Sequence, residues 1–600
     1  MASRVPLLVA LMLVLTPVLA VALPACTGRV DAHDPGAGAA DAAVGSLPDA
    51  DPAHPAPDAG PGDPPGPTRG ATLPYVEYEA EDGATNGTTL GPSRAFGDFA
   101  AESSGRRAVR LDATGQFVSF TARQAANSIV VRTVIPDAPE GGGLDATLSL
   151  YVDGAFRQKL ALTSRYAWTY GGEENSSSNH PGDGGAHHFY DEARALVAAI
   201  PAGATVKLQR DADDAAAFYI VDLVDLEQVA PPLAQPAGSL SITDFGAIAD
   251  DAGDDGGAIA DAIAAARAQG KVLWIPAGVF RSASTPWNVA ELTIRGAGMW
   301  HSTLRGANAR FTCVGNGCRF ADFAILGETT SRNDATLDNA FYGAAGTGSR
   351  LDNIWVEHTK VGYWVGSGAT DGLVIHGCRF RNLFADGVNL CNGASHSVIE
   401  ESHARNTGDD AFVSWAPSFD GTVNTGNVMR HDTVQLPWRA NCYAVYGGDG
   451  NRVEDSLCAD VVMYPGVLIA QQFTSYPFAG TTTVERVTLT RAGGPMYGQQ
   501  HGALKLAGAE GPVAGVHVKD VSIVDSTFAG IEVQGPGRVD SVVLENVTID
   551  HPGTFGLEVT ADATGAASTS GVVVTQPGTT GLSNPGTAWT FTHGPGDSGW

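Results

Sequence analysis

Short apolar strands recur through the second half of the sequence, and many of them are followed by a turn ending in Asn, Asp or Gly. Examples are LVIHGCRFRN, SVIEESHARN, NVMRHDTV, RVEDSLC and VVLENVTI. The apolar residues Ile354, Ile375 and Ile399 are separated by 21 and then 24 positions, and later intervals are longer. One such repeat cannot bury its apolar face alone, so repeats of roughly 20–30 residues stack on their neighbours. The pattern therefore predicts a solenoid of short β-strands.

The repeats are preceded by a segment that predicts one amphipathic helix. Asp254 or Asp255 would be its N-cap, and Gly270 follows its end. The segment KVLWIPAG comes next as a buried strand. This phrase resembles the entry of pectate-lyase-like β-helices, where a helix covers the first open turn. The resemblance implies a right-handed parallel β-helix over residues 239–600. The apolar face of the helix would consist of Ile259, Ala262, Ile263 and Ala266.

The first 72 residues predict export and a tether rather than a folded unit. Residues 1–26 contain Arg4, a long apolar run and a small-residue ending, which is typical of a signal peptide. The ending LPAC resembles a bacterial lipobox and implies lipidation of Cys26; ordinary cleavage leaving a free thiol is the alternative. Residues 27–72 have too few large apolar side chains to offset the entropy of ordering. We expect a disordered linker on an extracellular or cell-surface bacterial lipoprotein.

Residues 73–230 contain alternating runs such as QFVSFTA, SIVVRTVI and ATLSLYVDG, separated by Gly and Asp turns. This spacing predicts an antiparallel β-sandwich. The opening YEAED and the closing YIVDLVDLE resemble carbohydrate-binding modules of the family 6 and 35 type, which are jelly rolls. The resemblance implies a structural Ca²⁺, because carboxylate oxygens suit calcium; solvated acids at strand edges are the alternative. The candidate ligands are Glu79, Glu81, Asp222 and Asp225.

An insertion in this sandwich, GGEENSSSNHPGDGGAHHFYDEARALVAAIPAG, carries clustered His and acidic residues. They could bind a metal. A loop that enters a short amphipathic helix, with the acids near its N-terminus, explains the same residues. The residues concerned are His187, His188, Asp191 and Glu192.

Charge and cysteine content limit the partners. A formal net charge of −29 argues against nucleic acid and anionic membranes as ligands, since both need basic patches. A neutral polysaccharide is indifferent to that charge. Six cysteines follow Cys26, and an even number in an exported protein favours disulfides over a metal cluster. Cys313/Cys318 and Cys442/Cys458 are plausible local pairs. We expect a monomer that needs no cofactor for catalysis and contacts membranes only through a lipid anchor.

Three carboxylates occur one repeat apart. Asp386 lies in FADGVN, and Asp409 and Asp410 lie 23 and 24 positions later in NTGDDAFVSW. Stacked parallel strands are about 4.8 Å apart, and burying unpaired acids would cost several kcal/mol each, so outward clustering is expected. Glycoside hydrolysis needs one protonated carboxyl and one carboxylate, and like-charge repulsion supplies the raised pKa. The cluster predicts a glycoside hydrolase.

The spacing is similar to that of inverting β-helix glycosidases of the polygalacturonase kind. The segments NIWVEHTKVGYWV, LFADGVNLCNGASHSVIEESHARNTGDDAFVSW and HHFYDEAR resemble glycoside hydrolase family 87, the bacterial α-1,3-glucanases and mycodextranases. The resemblance implies an inverting endo-hydrolase of α-1,3-glucan, or of a mixed α-1,3/α-1,4-glucan. Its catalytic acids would be Asp386, Asp409 and Asp410. By similarity to polygalacturonases, Asp409 is the general acid and the other two activate water.

Aromatic and polar residues near these acids are predicted sugar contacts, since aromatic rings stack on pyranose faces and polar side chains bind hydroxyls. Packing within the β-helix is the alternative for each. Trp438, Tyr443 and Tyr464 are candidates for more distant subsites. The predicted contacts are Glu357, His358, Lys360, Tyr363, Trp364, Asn389, Asn392 and Trp415.

Two other functions remain open from the sequence. A polysaccharide lyase needs a basic proton abstractor and usually Ca²⁺; Lys360 lies nearby, and His501-Gly502 with Lys505 is similar to the His-Gly and Lys of pectinases. A surface glycan-binding protein would use both domains for binding alone.

Overall fold

The computed structural model describes residues 69–366 and 368–600. The predicted signal peptide, Cys26 and linker residues 27–68 lie outside the described residues. Residues 69–72, placed in the linker by the sequence, lie against the β-helix instead. Gly70 N donates to Asp455 O (2.7 Å), and Arg69 Nη1 donates to Thr488 Oγ1 (2.9 Å). Among the described residues, no helix has the length and apolar character needed to cross a membrane.

An antiparallel β-sandwich occupies the N-terminal part of the described chain. Side chains of both sheets, including Ile129, Leu150 and Val206, form one buried core. The first sheet contains Tyr75–Glu79, Thr88–Leu90, Ala108–Leu111, Ala126–Val134, Asp191–Ile200 and Tyr219–Glu227. The second sheet contains Ala84–Thr85, Phe117–Thr121, Asp145–Val152, Ala155–Thr163 and Thr205–Gln209.

The predicted helix after the His-rich insertion is wrong. Asp191–Ile200 is a strand that pairs antiparallel with Ala126–Val134. The alanines of this segment favour a helix, but tertiary contacts override that weak preference. Asp191 and Glu192 are buried against the β-helix, where His358 and Arg381 bind them.

A parallel β-helix follows, and its fold class confirms the prediction. In the described residues, one long sheet holds Trp287–Val289, Phe311–Cys313, Asn339–Tyr342, Val361–Trp364, Val388–Cys391, Phe412–Trp415, Tyr443–Tyr446, Val467–Ala470, Leu504–Ala507, Ile531–Gln534, Phe555–Val559 and Thr580–Ser583. We call this the 12-stranded sheet.

The other two sides of the β-helix form a second, bent sheet, the 24-stranded sheet. Its strands are Leu240–Ser241, Leu273–Ile275, Gly278–Arg281, Leu292–Gly296, Ser302–Arg305, Cys318–Leu326, Arg350–Glu357, Val374–His376, Arg379–Arg381, Val398–Glu400, His403–Arg405, Val428–Arg430, Thr433–Gln435, Arg452–Glu454, Leu457–Ala459, Thr482–Glu485, Thr488–Thr490, Val513–Lys519, Ser522–Val524, Arg538–Glu545, Thr548–Asp550, Thr564–Ser570, Val573–Thr575 and Trp589–His593.

The repeat is more regular than the sequence suggested. Leu351, not Ile354, lies opposite Ile375, and Ile375 lies opposite Ile399, so both intervals are 24 residues. The strand Arg350–Glu357 turns a corner at Asn353, whose φ is 52°, which displaces Ile354 from the column. Position alone therefore aligned the wrong apolar residue.

The helix Gly256–Gln269 caps the β-helix as predicted. Ile259, Ala262, Ile263 and Ala266 are buried, and Gly270 ends the helix at φ 60°. Asp254 Oδ1 accepts from Gly256 N (3.1 Å). Asp255 holds the N-cap position without capping; its carboxylate accepts from Ile248 N and Arg281 N and so ties the helix to neighbouring loops.

The predicted disulfide Cys442–Cys458 is present. The other predicted pair is wrong, because Cys313 and Cys318 are buried thiols. Cys318 Sγ contacts the backbone oxygen of Val289 (3.1 Å).

The sandwich is docked on the 24-stranded sheet through buried charges. Arg381 and Arg405 occupy paired positions on adjacent turns. Arg381 Nη1 donates to Glu192 Oε2 (2.9 Å), and Arg405 Nη2 donates to Asp225 Oδ2 (2.6 Å). Burial alone would raise the pKa of Glu192, but the two guanidinium groups lower it to about 2. The two domains therefore form a continuous, charge-balanced interface.

Candidate active site

The three acids lie in the turns that enter two adjacent strands of the 12-stranded sheet. Val388 pairs with Phe412, so Asp386 and Asp410, each two residues before its strand, occupy equivalent positions. Gly387 N donates to Asp410 O (3.1 Å), which links the two turns. Asp410, rather than Asp409, therefore stacks on Asp386. Carboxylate oxygens of all three residues lie within 4.8 Å of one another.

Asp409 is held by two arginines. Arg332 Nη1 and Arg439 Nη1 both donate to Oδ2, the latter at 3.2 Å. Oδ1 accepts from Asp410 N (3.1 Å). Burial alone would raise the pKa of Asp409, but Arg332 and then Arg439 outweigh it and hold the pKa below its ordinary value. Asp409 is therefore ionised in this arrangement.

The other two acids, Asp386 and Asp410, which we call the stacked pair, have raised pKa values. Burial, and then the charges of Asp409 and Asp410, raise the pKa of Asp386 well above its ordinary value. Burial and the charge of Asp409 raise the pKa of Asp410 to about 7. Asp410 also accepts from Asn441 Nδ2 (2.5 Å) and Tyr446 Oη (2.9 Å). The cluster thus retains a proton near neutral pH, as glycoside hydrolysis requires.

Aromatic side chains border the acids. Trp364 and Trp415 are half-buried, with ring centroids 5.9 Å apart in an edge-to-face arrangement. Trp415 pairs across the ladder with Tyr446, which binds Asp410. Phe419 lies beside Trp415 (5.7 Å between centroids) and is 54% exposed. These rings offer apolar faces for pyranose stacking, as predicted for the two tryptophans.

Two predicted sugar contacts belong to the domain interface instead. Glu357 is buried and its Oε2 lies 3.6 Å from Arg194 Nε. His358 Nε2 contacts Asp191 Oδ1 (2.9 Å), and its ring stacks on Tyr166 (3.8 Å). Both predictions are wrong because the sandwich covers this side of the β-helix.

Tyr363 and Asn392 are also corrected. Tyr363 is fully buried in the β-helix core, because neighbouring side chains alternate and Trp364 takes the outward position. Asn392 lies at a left-handed corner (φ 54°), and its Nδ2 donates to Val365 O (2.8 Å). Tyr443 is likewise in the core, and Trp438 is buried against His188 (4.1 Å). Tyr464 is buried with its ring edge toward His501 (4.5 Å).

Asn389 and Lys360 lie next to the acids. The Asn389 side chain hydrogen-bonds to Asp386 and lowers its pKa slightly against the larger effects of burial and charge. Lys360 Nζ donates to Asn333 O (2.8 Å) and Thr336 O (2.5 Å). Lys360 therefore fixes the loop that carries Arg332 and is not turned toward a sugar.

Arg332, Arg439, Asn441 and Tyr446 were not among the predicted site residues. Asn441 and Tyr446 lie one turn after Asp410, where Phe412 pairs with Tyr443. Aligning FVSW with YAVY would have located both, although inserted residues lengthen this turn to 31 positions. Arg332 lies in a segment without helix or strand, and the repeat gives no signal for it.

The predicted cation ligands separate into two pairs. Asp222 is bound by Arg132 Nη1 (2.5 Å) and Asp225 Oδ2 by Arg405 Nη2, so each of these carboxylates already has a cationic partner. Glu79 Oε2 and Glu81 Oε2 are buried without a hydrogen-bond partner. Burial raises the pKa of Glu81 to about 7. Each glutamate therefore keeps an unpaired carboxylate oxygen of the kind that a hard cation needs, and Asp225 keeps one as well through Oδ1.

The alternative of a metal site at His187, His188, Asp191 and Glu192 is not supported, because the four residues do not form one of the close groups of candidate ligand atoms in the described structure. His188 stacks on Trp438, and His187 Nε2 contacts Asn175 O (2.8 Å). The two acids bind residues of the β-helix, as described above.

The basic group compared with pectinases is separate from the acids. Lys505 lies in the strand Leu504–Ala507, three strands beyond Phe412–Trp415 in the sheet. Its Nζ contacts His501 Nδ1 (2.8 Å) and Glu532 Oε1 (2.9 Å). The Lys505 amine is thus paired with a carboxylate and an imidazole away from the three acids, which does not support the lyase alternative.

A cluster of three carboxyl groups and half-buried tryptophan rings on neighbouring strands of a parallel β-helix defines the site of a glycoside hydrolase. Comparisons identify which kind. Two family models match, α-1,3-glucanase catalytic domain D1 over residues 72–229 and α-1,3-glucanase catalytic domain D2 over residues 255–591. No curated protein sequence matches.

Solved structures agree over nearly the whole described chain. The Agl-KA catalytic domain has 28% sequence identity and a TM-score of 0.81, covering 88% of this chain and 98% of that one. The catalytic unit of the GH87 α-1,3-glucanase from Streptomyces thermodiastaticus strain HF3-3 has 34% identity and a TM-score of 0.79, covering 88% and 97%. A GH87 α-1,3-glucanase catalytic domain in complex with nigerose has 29% identity and a TM-score of 0.78, covering 88% and 100%.

The chain belongs to glycoside hydrolase family 87 and is a hydrolase of α-1,3-glucan. This family assignment decides against the lyase and against a protein that only binds glycans. It also places the sandwich inside the catalytic unit, as domain D1. The likeness of the sandwich to carbohydrate-binding modules stays a prediction.

Proposed function

We propose that the protein is an inverting endo-α-1,3-glucanase whose catalytic acids are Asp386, Asp409 and Asp410. The observation that carries this proposal is the convergence of the three carboxyl groups at the 12-stranded sheet, whose neighbouring strands carry Trp364 and Trp415. The 12-stranded sheet continues for several strands on both sides of the acids, which suits internal attack on a long polymer.

Relatives support the choice of acids. One GH87 α-1,3-glucanase was solved with oligosaccharides as three different single aspartate-to-alanine variants. The three aspartates are separated by 23 positions and then by one. Asp386, Asp409 and Asp410 have the same spacing.

The geometry favours the predicted division of roles. Asp386 and Asp410 occupy equivalent positions on adjacent turns, so their carboxyl groups can share one water molecule. Asp409 projects differently because it is the sequence neighbour of Asp410. We therefore assign water activation to the stacked pair and proton donation to Asp409.

Stereochemistry is the critical test. Oxygens of the three acids lie within 4.8 Å, whereas the carboxyl groups of most inverting glycosidases are roughly 6.5–9.5 Å apart. Time-resolved NMR of the products from an insoluble α-1,3-glucan should show the β-anomer first. The α-anomer as the first product would establish retention and overturn the inverting mechanism. Early release of long oligosaccharides would support endo action, and a mixed α-1,3/α-1,4-glucan cleaved faster would favour the mycodextranase alternative.

We further propose that the protein is exported and lipidated at Cys26, since an insoluble polymer cannot enter the cell and has to be hydrolysed outside it. The disulfide Cys442–Cys458 is consistent with an oxidising compartment. Metabolic labelling with a fatty acid should mark the wild type but not Cys26→Ser. Labelling of neither protein would leave ordinary signal cleavage.

We also propose that Glu79 and Glu81 hold a structural Ca²⁺. Two buried carboxylate oxygens without partners are the support. Calcium removal should lower the melting temperature of the wild type and leave that of Glu81→Gln unchanged. An equal effect of chelation on both proteins would argue against this site.

A further inference from the structure

One loop delivers a positive charge into the catalytic cluster. Residues 328–338, which we call the Arg332 segment, contain neither helix nor strand. Arg332 N donates to Ser176 O of the sandwich (3.0 Å), and Lys360 Nζ binds two carbonyl groups of the segment. The guanidinium reaches both Asp409 and Asp334.

This arrangement holds Asp409 as a carboxylate, because three donors occupy most of its acceptor sites. Oδ2 accepts from Arg332 and Arg439, and Oδ1 accepts from Asp410 N. A general acid must carry a proton and present it to the glycosidic oxygen within hydrogen-bond reach. The contacts seen here are those of a carboxylate that accepts from three donors. While both guanidinium groups remain on Oδ2, they favour the ionised form, so Asp409 becomes a better proton donor when one of them leaves.

Arg332 is the partner that can leave. It binds Asp334 through Nε (2.9 Å), so it keeps an anionic partner after it loses Asp409. Arg439 lies close to Asn441, which binds Asp410, and to Cys442, which is fixed by its disulfide to Cys458. Releasing Arg332 therefore leaves its guanidinium on another carboxylate, whereas Arg439 has no second carboxylate partner among the described residues.

We propose that Arg332 is a positioning residue that keeps Asp409 ionised in the free enzyme, and that the bound glucan displaces its guanidinium from Asp409 Oδ2. This inference rests on the proposed function, because it assigns proton donation to Asp409. Hydroxyl groups of the sugar on the leaving side would take the place of the guanidinium.

The protons balance in this scheme. In the free enzyme, the cluster proton is on the stacked pair, and Asp409 is a carboxylate. When Arg332 leaves, that proton passes to Asp409, which then gives it to the departing glycosidic oxygen as the C–O bond breaks. The stacked pair, now fully ionised, accepts a proton from the water whose oxygen bonds to the anomeric carbon. The cluster ends with one proton, as it began.

The charged groups that face Asp409 come from four parts of the chain. Burial and the negative charges of Asp409 and Asp410 raise the pKa of Asp386, whereas Arg332 and Arg439 lower the pKa of Asp409. Asp334 partly neutralises Arg332, and Lys360 lies behind the same segment. Removing Arg332 alone therefore removes the largest opposing charge.

The test compares pH profiles of Arg332→Gln and wild type on a soluble α-1,3-linked oligosaccharide. The profile of kcat/KM reports the free enzyme, and that of kcat reports the complex. Loss of Arg332 raises the pKa of Asp409 in the free enzyme, so the basic limb of kcat/KM should move up by about one pH unit. The basic limb of kcat should not move, because Arg332 has already left Asp409 in the complex.

Two variants serve as controls. Arg332→Lys keeps the charge and should restore the wild-type kcat/KM profile. Arg310→Gln removes an arginine that binds Leu337 O at the end of the same segment without facing the acids, and it should leave both profiles unchanged.

The outcomes are separable. If both limbs move together, Arg332 stays on Asp409 in the complex and displacement is excluded. If neither limb moves in Arg332→Gln, Arg332 does not set the charge of Asp409. If the wild type is active but Asp409→Asn retains that activity, the assignment of the acid fails instead, independently of Arg332. If turnover of Arg332→Gln is too slow to measure, isothermal titration calorimetry can be done on the inactive variant Asp410→Asn. Adding Arg332→Gln to that variant should tighten oligosaccharide binding, because no ion pair then has to be displaced. Unchanged binding would exclude displacement of the ion pair.

Discussion

Two faces of the same β-helix carry ionisable residues stacked on adjacent turns, with opposite results. On the 24-stranded sheet, Arg381 and Arg405 stack and are matched by Glu192 and Asp225 of the sandwich. On the 12-stranded sheet, Asp386 and Asp410 stack with no cation between them in the described structure. The first arrangement joins two domains, and the second forms the candidate active site.

The difference lies in charge balance, not in burial. Both sets are buried, yet the pKa of Glu192 falls to about 2 and that of Asp410 rises to about 7. Opposite charges pull the first carboxyl toward ionisation, and like charges push the second toward protonation. A β-helix can thus use one device, stacked charges on neighbouring turns, for either docking or acid–base chemistry.

The largest effect is expected from breaking the like-charge cluster. Asp409→Asn removes the proposed proton donor and should lower kcat by about a thousandfold, while oligosaccharide binding and folding persist. Initial rates on α-1,3-glucan and circular dichroism would measure this. Asp371→Asn, at an exposed aspartate on the same β-helix, should have wild-type activity. Retained turnover in Asp409→Asn would remove this residue from the mechanism.

Removing one charge from the interface between the sandwich and the 24-stranded sheet should instead lower the free energy of unfolding. Glu192→Gln leaves Arg381 without its 2.9 Å carboxylate partner inside a buried interface and should destabilise the protein by about 3 kcal/mol. The pKa of Glu192 is lowered, so the wild-type contribution is present above pH 4.5 and is lost as pH falls through about 2. Urea denaturation at pH 7 would measure it.

A matched change on uncovered surface provides the control. Glu400 binds Arg430 Nη2 (2.7 Å) between adjacent turns, but the arginine is 44% exposed. Glu400→Gln should cost below about 1 kcal/mol because solvent screens the pair. Equal losses for Glu192→Gln and Glu400→Gln would show that the sandwich interface is not the source of the effect.

The convergence of the three acids could be predicted from their spacing of one repeat, whereas the cost of burying unpaired carboxylates did not keep Asp386 and Asp410 exposed. The same reasoning failed for Glu357 and His358, which also lie beside repeat corners. The sequence shows the position of a residue within a turn but not which side another domain covers. Charge pairing with Arg194 and Asp191 depends on that docking.

Other misses have different causes. Tyr363 and Trp364 are adjacent, and only the strand register decides that the first points inward. Arg332 reaches Asp409 from a segment outside the repeat, so the repeat period could not predict this contact. Local pattern thus predicts the stacked acids, while long-range contacts decide their charge state.

The like-charge cluster should also lower stability in a pH-dependent way. The pKa of Asp386 is raised in the folded protein, so its favourable contribution is complete below about pH 4 and is lost as pH rises through the folded value. Asp386→Asn never ionises and should therefore raise the melting temperature at pH 8 but not at pH 4. Differential scanning calorimetry at both values would show this. A variant that is less stable at pH 8 would mean that ionised Asp386 is paired in the native state.

The smallest expected effect concerns the tryptophan rings near the acids, Trp364 and Trp415. They are partly exposed, unlike the buried residues at the interface with the sandwich. Trp415→Ala removes a half-buried ring that is edge-to-face with Trp364 and pairs with Tyr446. Loss of one stacking contact should cost about 1 kcal/mol, a roughly fivefold rise in KM with kcat nearly unchanged. Phe156→Ala, at an exposed ring of the sandwich away from the acids, should leave KM unchanged. If Trp415→Ala lowered kcat and left KM as it was, the ring would act through Tyr446 and Asp410 rather than by holding sugar.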